Sequence, residues 1–150
     1  MSKIKLEKNQ TGIACEFYVA GELSRLGYNV TVTFGNTKSI DLLVSKNEET
    51  FAVQVKGIQS TASICWNLDK TKLQDKKIVM VLVNLHVDNP SAKPDFFVLT
   101  QPEALKLFKD TPKEGQKRTY LDYNTIKRLN IYESRWDVFE KQTNALLKGK

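Results

Sequence analysis

Cysteine is scarce in this chain of 150 residues, and so are proline and histidine: two Cys, four Pro and one His. Cys15 and Cys65 each lie in an apolar stretch with no second cysteine at short spacing, which excludes a disulfide scaffold and a thiolate metal knuckle and leaves two reduced, buried thiols as the expectation. No apolar run approaches the roughly 20 residues that a membrane-spanning helix needs. Residues Met1 to Gln10 are polar and lysine-rich with no apolar segment behind them, so no secretory signal is expected there and the cytoplasm is the simplest location. Internal repeats and low-complexity tracts are also missing.

What is present is ordinary for a folded domain. A hydrophobic share of 41% and a charged share of 27% fit a globular protein long enough to bury a core unaided. The expectation is one domain over residues 1–150, with a core at about 11–100 and a C-terminal helical extension at about 101–150. Twenty-three Lys and Arg against 17 Asp and Glu give a net charge of +6, which favours encounter with polyanions such as nucleic acid without identifying one.

Hydrophobic periodicity predicts a helix from Thr11 to Gly27 that buries Ile13, Phe17, Ala20 and Leu23, with Gly27 as its left-handed cap. Tyr28 to Thr33 alternates as a strand, and Ile40 to Val44 reads as a second strand with Asp41 one residue inside it. Lys46 to Thr50 is a polar hairpin connection. Phe51 to Lys56 is a third strand ended by Gly57, with Phe51, Val53 and Val55 on one face and Ala52, Gln54 and Lys56 on the other. Trp66 to Lys76 reads as a turn or short helix. Lys77 to Leu85 is too continuously apolar for an edge and should be a central strand. Asp95 to Thr100 is expected to be the last strand, Pro102 opens a helix to about Lys109, Thr111 to Arg118 is an exposed loop, and Tyr132 to Leu147 is a terminal helix packing Trp136 and Phe139.

One group of residues carries chemistry. Asp41 stands one hairpin away from Gln54 and Lys56, which share a strand face. A carboxylate, an amide oxygen and the Val55 carbonyl between Gln54 and Lys56 are hard oxygen donors suited to Mg²⁺ or Mn²⁺. A water on such an ion can attack a phosphodiester, and a lysine aimed at the site can assist by proton transfer or by stabilising transition-state charge. Glu16 shares a helical face with Ala20 and Leu23, so it points toward the sheet and can bind metal directly or through water. Asp41 as a turn cap, Gln54 as a buried hydrogen-bonded amide and Glu16 as a surface acid are the structural alternatives.

The runs Gly12-Ile13-Ala14-Cys15-Glu16, Leu26-Gly27-Tyr28-Asn29-Val30, Ser39-Ile40-Asp41-Leu42-Leu43-Val44 and Val53-Gln54-Val55-Lys56-Gly57 resemble the core of the PD-(D/E)xK nucleases, in particular Mrr-type restriction endonucleases and archaeal Holliday-junction resolvases. The resemblance covers roughly Thr11 to Leu85. It implies an α/β (α+β) fold of the restriction-endonuclease-like class, in which helix, three strands, helix and strand form a mixed central β-sheet flanked by helices. It further implies Glu16, Asp41, Gln54 and Lys56 as catalytic residues, and Asp41, Gln54, Val55 and Glu16 around Mg²⁺ or Mn²⁺. The activity implied is that of a Mg-dependent deoxyribonuclease with DNA as partner, and a homodimer is left open. Two positions depart from the motif: Ile40 stands where the family name has proline, and Gln54 where it has an acid, although glutamine occurs there in Mrr-like members. Gln54 also keeps open a rival reading, an inactive nuclease fold that binds nucleic acid or protein.

Other residues weigh less. His86 ends an apolar strand and is more simply incidental than a catalytic base. Trp66 and Trp136 have the apolar neighbours of core residues. The groups Lys113-Lys117-Arg118 and Lys127-Arg128 are candidate phosphate contacts, with solvated charge as the alternative.

Overall fold

The computed structural model describes residues 4–33, 40–60, 65–75, 77–110 and 118–141. It opens with helix α1 (Lys8–Arg25), which ends as its glycine dictates: Gly27 takes φ of 91°, its N–H reaches the Ser24 carbonyl at 3.0 Å, and the Tyr28 N–H reaches Leu23 at 3.1 Å. This pair of bonds closes the last turn in a Schellman cap and turns the chain into strand β1 (Asn29–Val32). Strands β2 (Leu42–Lys46) and β3 (Glu49–Ile58) form a hairpin on Asn47 and Glu48, whose φ of 53° and 68° give the turn a twist that matches its strands.

Next come β4 (Cys65–Asp69), a 3-10 turn (Lys70–Lys72), β5 (Ile78–Asn84), β6 (Asp95–Thr100), α2 (Gln101–Leu107), β7 (Lys109–Asp110), β8 (Arg118–Asp122) and α3 (Tyr123–Leu129). The main sheet has the order β1-β2-β3-β5-β6, with only β3 and β5 parallel, and β4-β8-β7 make a second, antiparallel sheet. Residues 137–141 are helical.

Side-chain alternation sorts the interior into two layers. Val79, Val81 and Val83 of β5 join Phe51, Val53 and Val55 of β3 against Cys15, Val19 and Leu23 of α1, with Val138 and Phe139 closing that layer. Ile78, Met80 and Leu82 join Ile58, Phe97 and Leu99 on the opposite face, under Trp66, Leu68 and Leu121 of the small sheet and Ile126 of α3. Every residue of β5 is buried, as a strand covered on both faces requires.

Several expectations need correction. The buried stripe of α1 is Thr11-Cys15-Val19-Leu23 with Ala20, whereas Ile13 and Phe17 are 54% and 55% exposed, because the helix rests on the sheet one column away from its bulkiest residues. Asp41 lies just before β2, not inside the strand, and β3 runs past Gly57 to Ile58. Trp66 and Leu68 are the inward positions of a strand, not part of a helix, so no α-helix stands between β3 and β5 among the described residues. Residues after 100 include β7 and β8 besides helices, and β6 is not the last strand. Cys15 is buried but Cys65 is exposed. The loop predicted at Thr111 to Arg118 lies outside the described residues except Arg118, as does the terminal helix beyond residue 141. No described helix is long and apolar enough to cross a membrane.

Candidate active site

The centre of the site is the point where the β2–β3 ladder opens. Asp41 donates its N–H to the Val53 carbonyl at 2.9 Å, and its own carbonyl accepts the Thr33 N–H at 3.0 Å. The residue is thereby fixed to β3 on one side and to the end of β1 on the other. Its carboxylate replaces the next rung: Oδ2 accepts the Val55 N–H at 2.7 Å. Strand N–H groups lie in the plane of the sheet. A carboxylate bound to one therefore sits in that plane and is open to groups from either face.

Charges arrive from both faces. Glu16, half-buried on α1, has its carboxyl raised above the usual range, first by burial and second by the negative charge of Asp41. Asp41 is itself raised by burial, against the opposing pull of the Val55 N–H and the Lys56 ammonium. Lys56, on the opposite face of β3 from Val55, has its ammonium lowered by burial, although Asp41 supports its charge; Lys72, Lys8 and Arg118 add repulsion. The two acids therefore repel each other, and Lys56 supplies opposing positive charge to Asp41.

Gln54 shares the Lys56 face of β3 and is 4% exposed. Its Oε1 is buried without a hydrogen-bond partner, an arrangement that costs on the order of 1–3 kcal/mol unless a ligand satisfies it. Close packing holds the strand in place beneath α1: a Cβ added at Gly57 would overlap the Cys15 sulfur, so only glycine lets helix and strand approach this closely. The Cys15 thiol is pushed up to about 12, first by burial and second by the negative charge of Glu16.

A hard cation fits this donor chemistry. No group of three or more His, Cys, Asp or Glu side chains is placed to hold a metal ion among the described residues, so an ion here would rest on the Asp41 and Glu16 carboxylates with amide and carbonyl oxygens from Gln54 and Val55. That composition suits Mg²⁺ or Mn²⁺, which are held by one or two carboxylates and retain several waters. The hydrogen bond joins Asp41 to Val55, and the charge of Asp41 acts on Glu16 and Lys56; Gln54 shares the Lys56 face of β3, opposite the α1 side on which Glu16 lies.

Several of the other described candidates are engaged elsewhere. His86 binds Asp95 at 2.8 Å, and Asp95 also accepts from Tyr123 at 2.6 Å. Lys127 pairs with Glu133 at 2.9 Å. Trp66 is buried with its indole N–H on the Val83 carbonyl at 3.1 Å, and Trp136 packs on Phe96. Lys113 and Lys117 lie outside the described residues. Lys8 and Lys72 were not legible as neighbours of Lys56, since they are separated from it in sequence and nothing in their own lysine-rich stretches points to it.

No family model and no curated protein matches the sequence. Solved structures do match. A bacterial homing endonuclease superposes with a TM-score of 0.65 at 14% identity, covering 97% of this chain and 100% of its own. A Holliday junction resolvase from the archaeal hyperthermophile Archaeoglobus fulgidus gives 0.53 at 13% identity, covering 81% of this chain and 90% of its own. Both have the restriction-endonuclease-like PD-(D/E)xK fold, and the mixed sheet flanked by helices described above is that fold, as expected from sequence.

Proposed function

We propose that this restriction-endonuclease-like chain is a metal-dependent phosphodiester hydrolase, an endonuclease acting on DNA in the cytoplasm. The observation that carries the reading is the Asp41 carboxylate, fixed on the Val55 N–H where the charges of Glu16 and Lys56 both reach it. Asp41, Glu16, the Gln54 amide oxygen and the Val55 carbonyl would hold Mg²⁺ or Mn²⁺. When bound, such an ion supplies a more acidic water and neutralises charge on the phosphate.

The chain's own groups then have separable tasks. The Val55 N–H orients Asp41 and leaves its second oxygen without a hydrogen-bond partner among the described residues. Glu16, held less acidic than usual, can take a proton from the attacking water as its oxygen bonds to phosphorus. Lys56 stabilises the negative charge that accumulates on the phosphoryl oxygens while the bond to the leaving oxygen breaks and that oxygen takes a proton from solvent water. The two neighbours that act on DNA, an endonuclease and a junction resolvase, support nuclease-type chemistry on this fold.

The test is incubation of the full chain with plasmid, single-stranded and branched DNA in Mg²⁺ or Mn²⁺, beside Asp41→Ala and Lys56→Ala. Metal-dependent cleavage lost in both variants is the expected result; cleavage that survives both substitutions removes the assignment. Gln54, neutral where a second acid would strengthen metal binding, favours one rival: a binding module without turnover. DNA affinity with neither Mn²⁺ binding heat nor cleavage would select it.

A further inference from the structure

Helix α1 carries an uncharged ridge on the side that faces away from the sheet. At about 100° per residue, Phe17 stands about 160° from both Cys15 and Val19 in the middle of the buried stripe, and Gln10, Ile13, Gly21 and Ser24 fall within about 40° of it. All five are exposed, with Ile13 at 54% and Phe17 at 55%. A helix face turned to water ordinarily carries the charged residues. Here the charged residues of α1, Lys8, Glu16, Glu22 and Arg25, all stand about 80° or more from Phe17.

The ridge holds a recess as well as knobs. A Cβ added at Gly21 would meet nothing within 4 Å, so no internal packing requires glycine there, and glycine inside a helix costs about 1 kcal/mol relative to alanine. A large side chain four residues before Phe17 and a bare position four residues after it are complementary under one symmetry. When two copies of α1 lie antiparallel about a two-fold axis at Phe17, Ile13 of one copy comes level with Gly21 of the other, each about 6 Å along the helix from Phe17. Phe17 then meets Phe17, and Gln10 comes level with Ser24. A parallel pair would instead set Gly21 against Gly21 across a void and align the two helix dipoles unfavourably.

Tyr18, 51% exposed, extends the apolar surface along one flank of the ridge. An aromatic side chain buries about 150–250 Å², so Phe17 and Tyr18 still offer on the order of 100 Å² each. With Ile13 the patch reaches roughly 300 Å² per copy, a size at which exposed apolar surface marks contact sites. Two such patches supply roughly 600 Å², enough for the apolar centre of an interface near the lower end of the stable range at about 1,200 Å². We propose that the occupant of this ridge is a second copy of the chain, and that the protein forms a two-fold dimer through antiparallel α1 helices centred on Phe17. Glu16 stands on the other flank of α1 from Tyr18, so the patch extends away from the candidate site's acid. The dimer is independent of the nuclease reading.

The test is sedimentation equilibrium of the full chain over a concentration series, in which the mass should rise from 17.1 kDa toward twice that value. Phe17→Glu should raise the dimer dissociation constant about 100-fold or more, with the circular dichroism of the wild type retained because the side chain is exposed. Gly21→Leu separates this arrangement from a merely adhesive face. It adds apolar surface to the ridge and favours the helix, so an adhesive face would associate more tightly; the proposed dimer loses the seat for Ile13 and should weaken about 10-fold or more. Ile131→Glu removes an apolar side chain that is 60% exposed beyond α3 and should leave the association unchanged. A wild type that stays at 17.1 kDa up to about 1 mM would overturn the proposal. So would a dimer that Phe17→Glu leaves intact, one that Ile131→Glu dissociates equally, or tighter association in Gly21→Leu.

Discussion

Replacing Asp41 by asparagine separates charge from shape at the centre of the site. The amide oxygen can still accept the Val55 N–H, so the rung that closes the β2–β3 opening survives, while the negative charge that acts on Glu16 and Lys56 disappears. Alanine would confound the two effects, since it leaves the Val55 N–H unpaired at a cost of about 1–3 kcal/mol. Without metal, asparagine should hold or raise the melting temperature at neutral pH. The reason is the direction of the pKa shifts: Asp41 and Glu16 are both raised by burial, and Glu16 further by Asp41, so their ionised forms are disfavoured in the fold. Stability from such raised carboxyls is fully present below their unfolded values and is lost as pH climbs through the folded ones, so at neutral pH the pair is a net cost that the substitution reduces.

With metal the order reverses. An ion present at about 100 times its dissociation constant stabilises the folded chain by about 2.7 kcal/mol, which for a protein of this size is a rise of about 5–10 °C. Scanning fluorimetry of both proteins over a Mn²⁺ titration reads the two effects together: wild type should climb with the ion, and Asp41→Asn should start level or higher and stay flat. A variant that melts well below wild type without metal, or that gains the full increment from Mn²⁺, would refute the argument that a desolvated carboxylate pair awaits a cation here.

Gln54→Glu puts a third acid in place of the orphaned amide, so Mn²⁺ affinity by calorimetry should rise at least several-fold while the metal-free melting temperature falls; unchanged affinity would remove Gln54 from the ligand set. Lys56→Met should lower cleavage by about 10²–10³-fold with little change in melting temperature, because the lost charge is one that burial already disfavours. Because Asp41 and Glu16 are raised, Mn²⁺ affinity should begin to weaken on acidification at a pH above the ordinary carboxylate range, readable from calorimetry across a pH series. Gly57→Ala should destabilise by about 1–3 kcal/mol in denaturant titration, with partial recovery in Gly57→Ala/Cys15→Ala, which frees the space the new Cβ needs.

The parts of the fold that were legible are those where local pattern and tertiary environment agree. Gly27 ends α1 because a left-handed residue is needed there, and β5 reads as central because both its faces are covered. The helix register was not legible. Ile13 and Phe17 are as apolar as Val19 and Leu23, and periodicity alone cannot tell which of two adjacent stripes meets the sheet. The deciding contact is between Cys15, Thr11 and the bare backbone of Gly57, made across 42 residues of chain by partners too small to dominate a hydrophobic pattern. Strand β4 escaped notice for a related reason: Trp66 and Leu68 alternate, but the strand is only five residues long and its partner β8 lies about fifty residues away.

The candidate site was legible as a set of residues because its chemistry is concentrated on one hairpin, where a two-residue turn fixes which positions face each other. Its geometry was not. Inside β2, Asp41 would have projected to one face of the sheet, and Glu16 on α1 could not have met Lys56's partner. Outside the ladder, with its carboxylate taking the place of a backbone acceptor for Val55, the same residue lies in the plane between the two layers. That one-residue displacement lets a helix on one face and a lysine on the other act on a single carboxylate, and it is set by the hydrogen bonds from Asp41 to Val53 and from Thr33 to Asp41, which no sequence pattern announces.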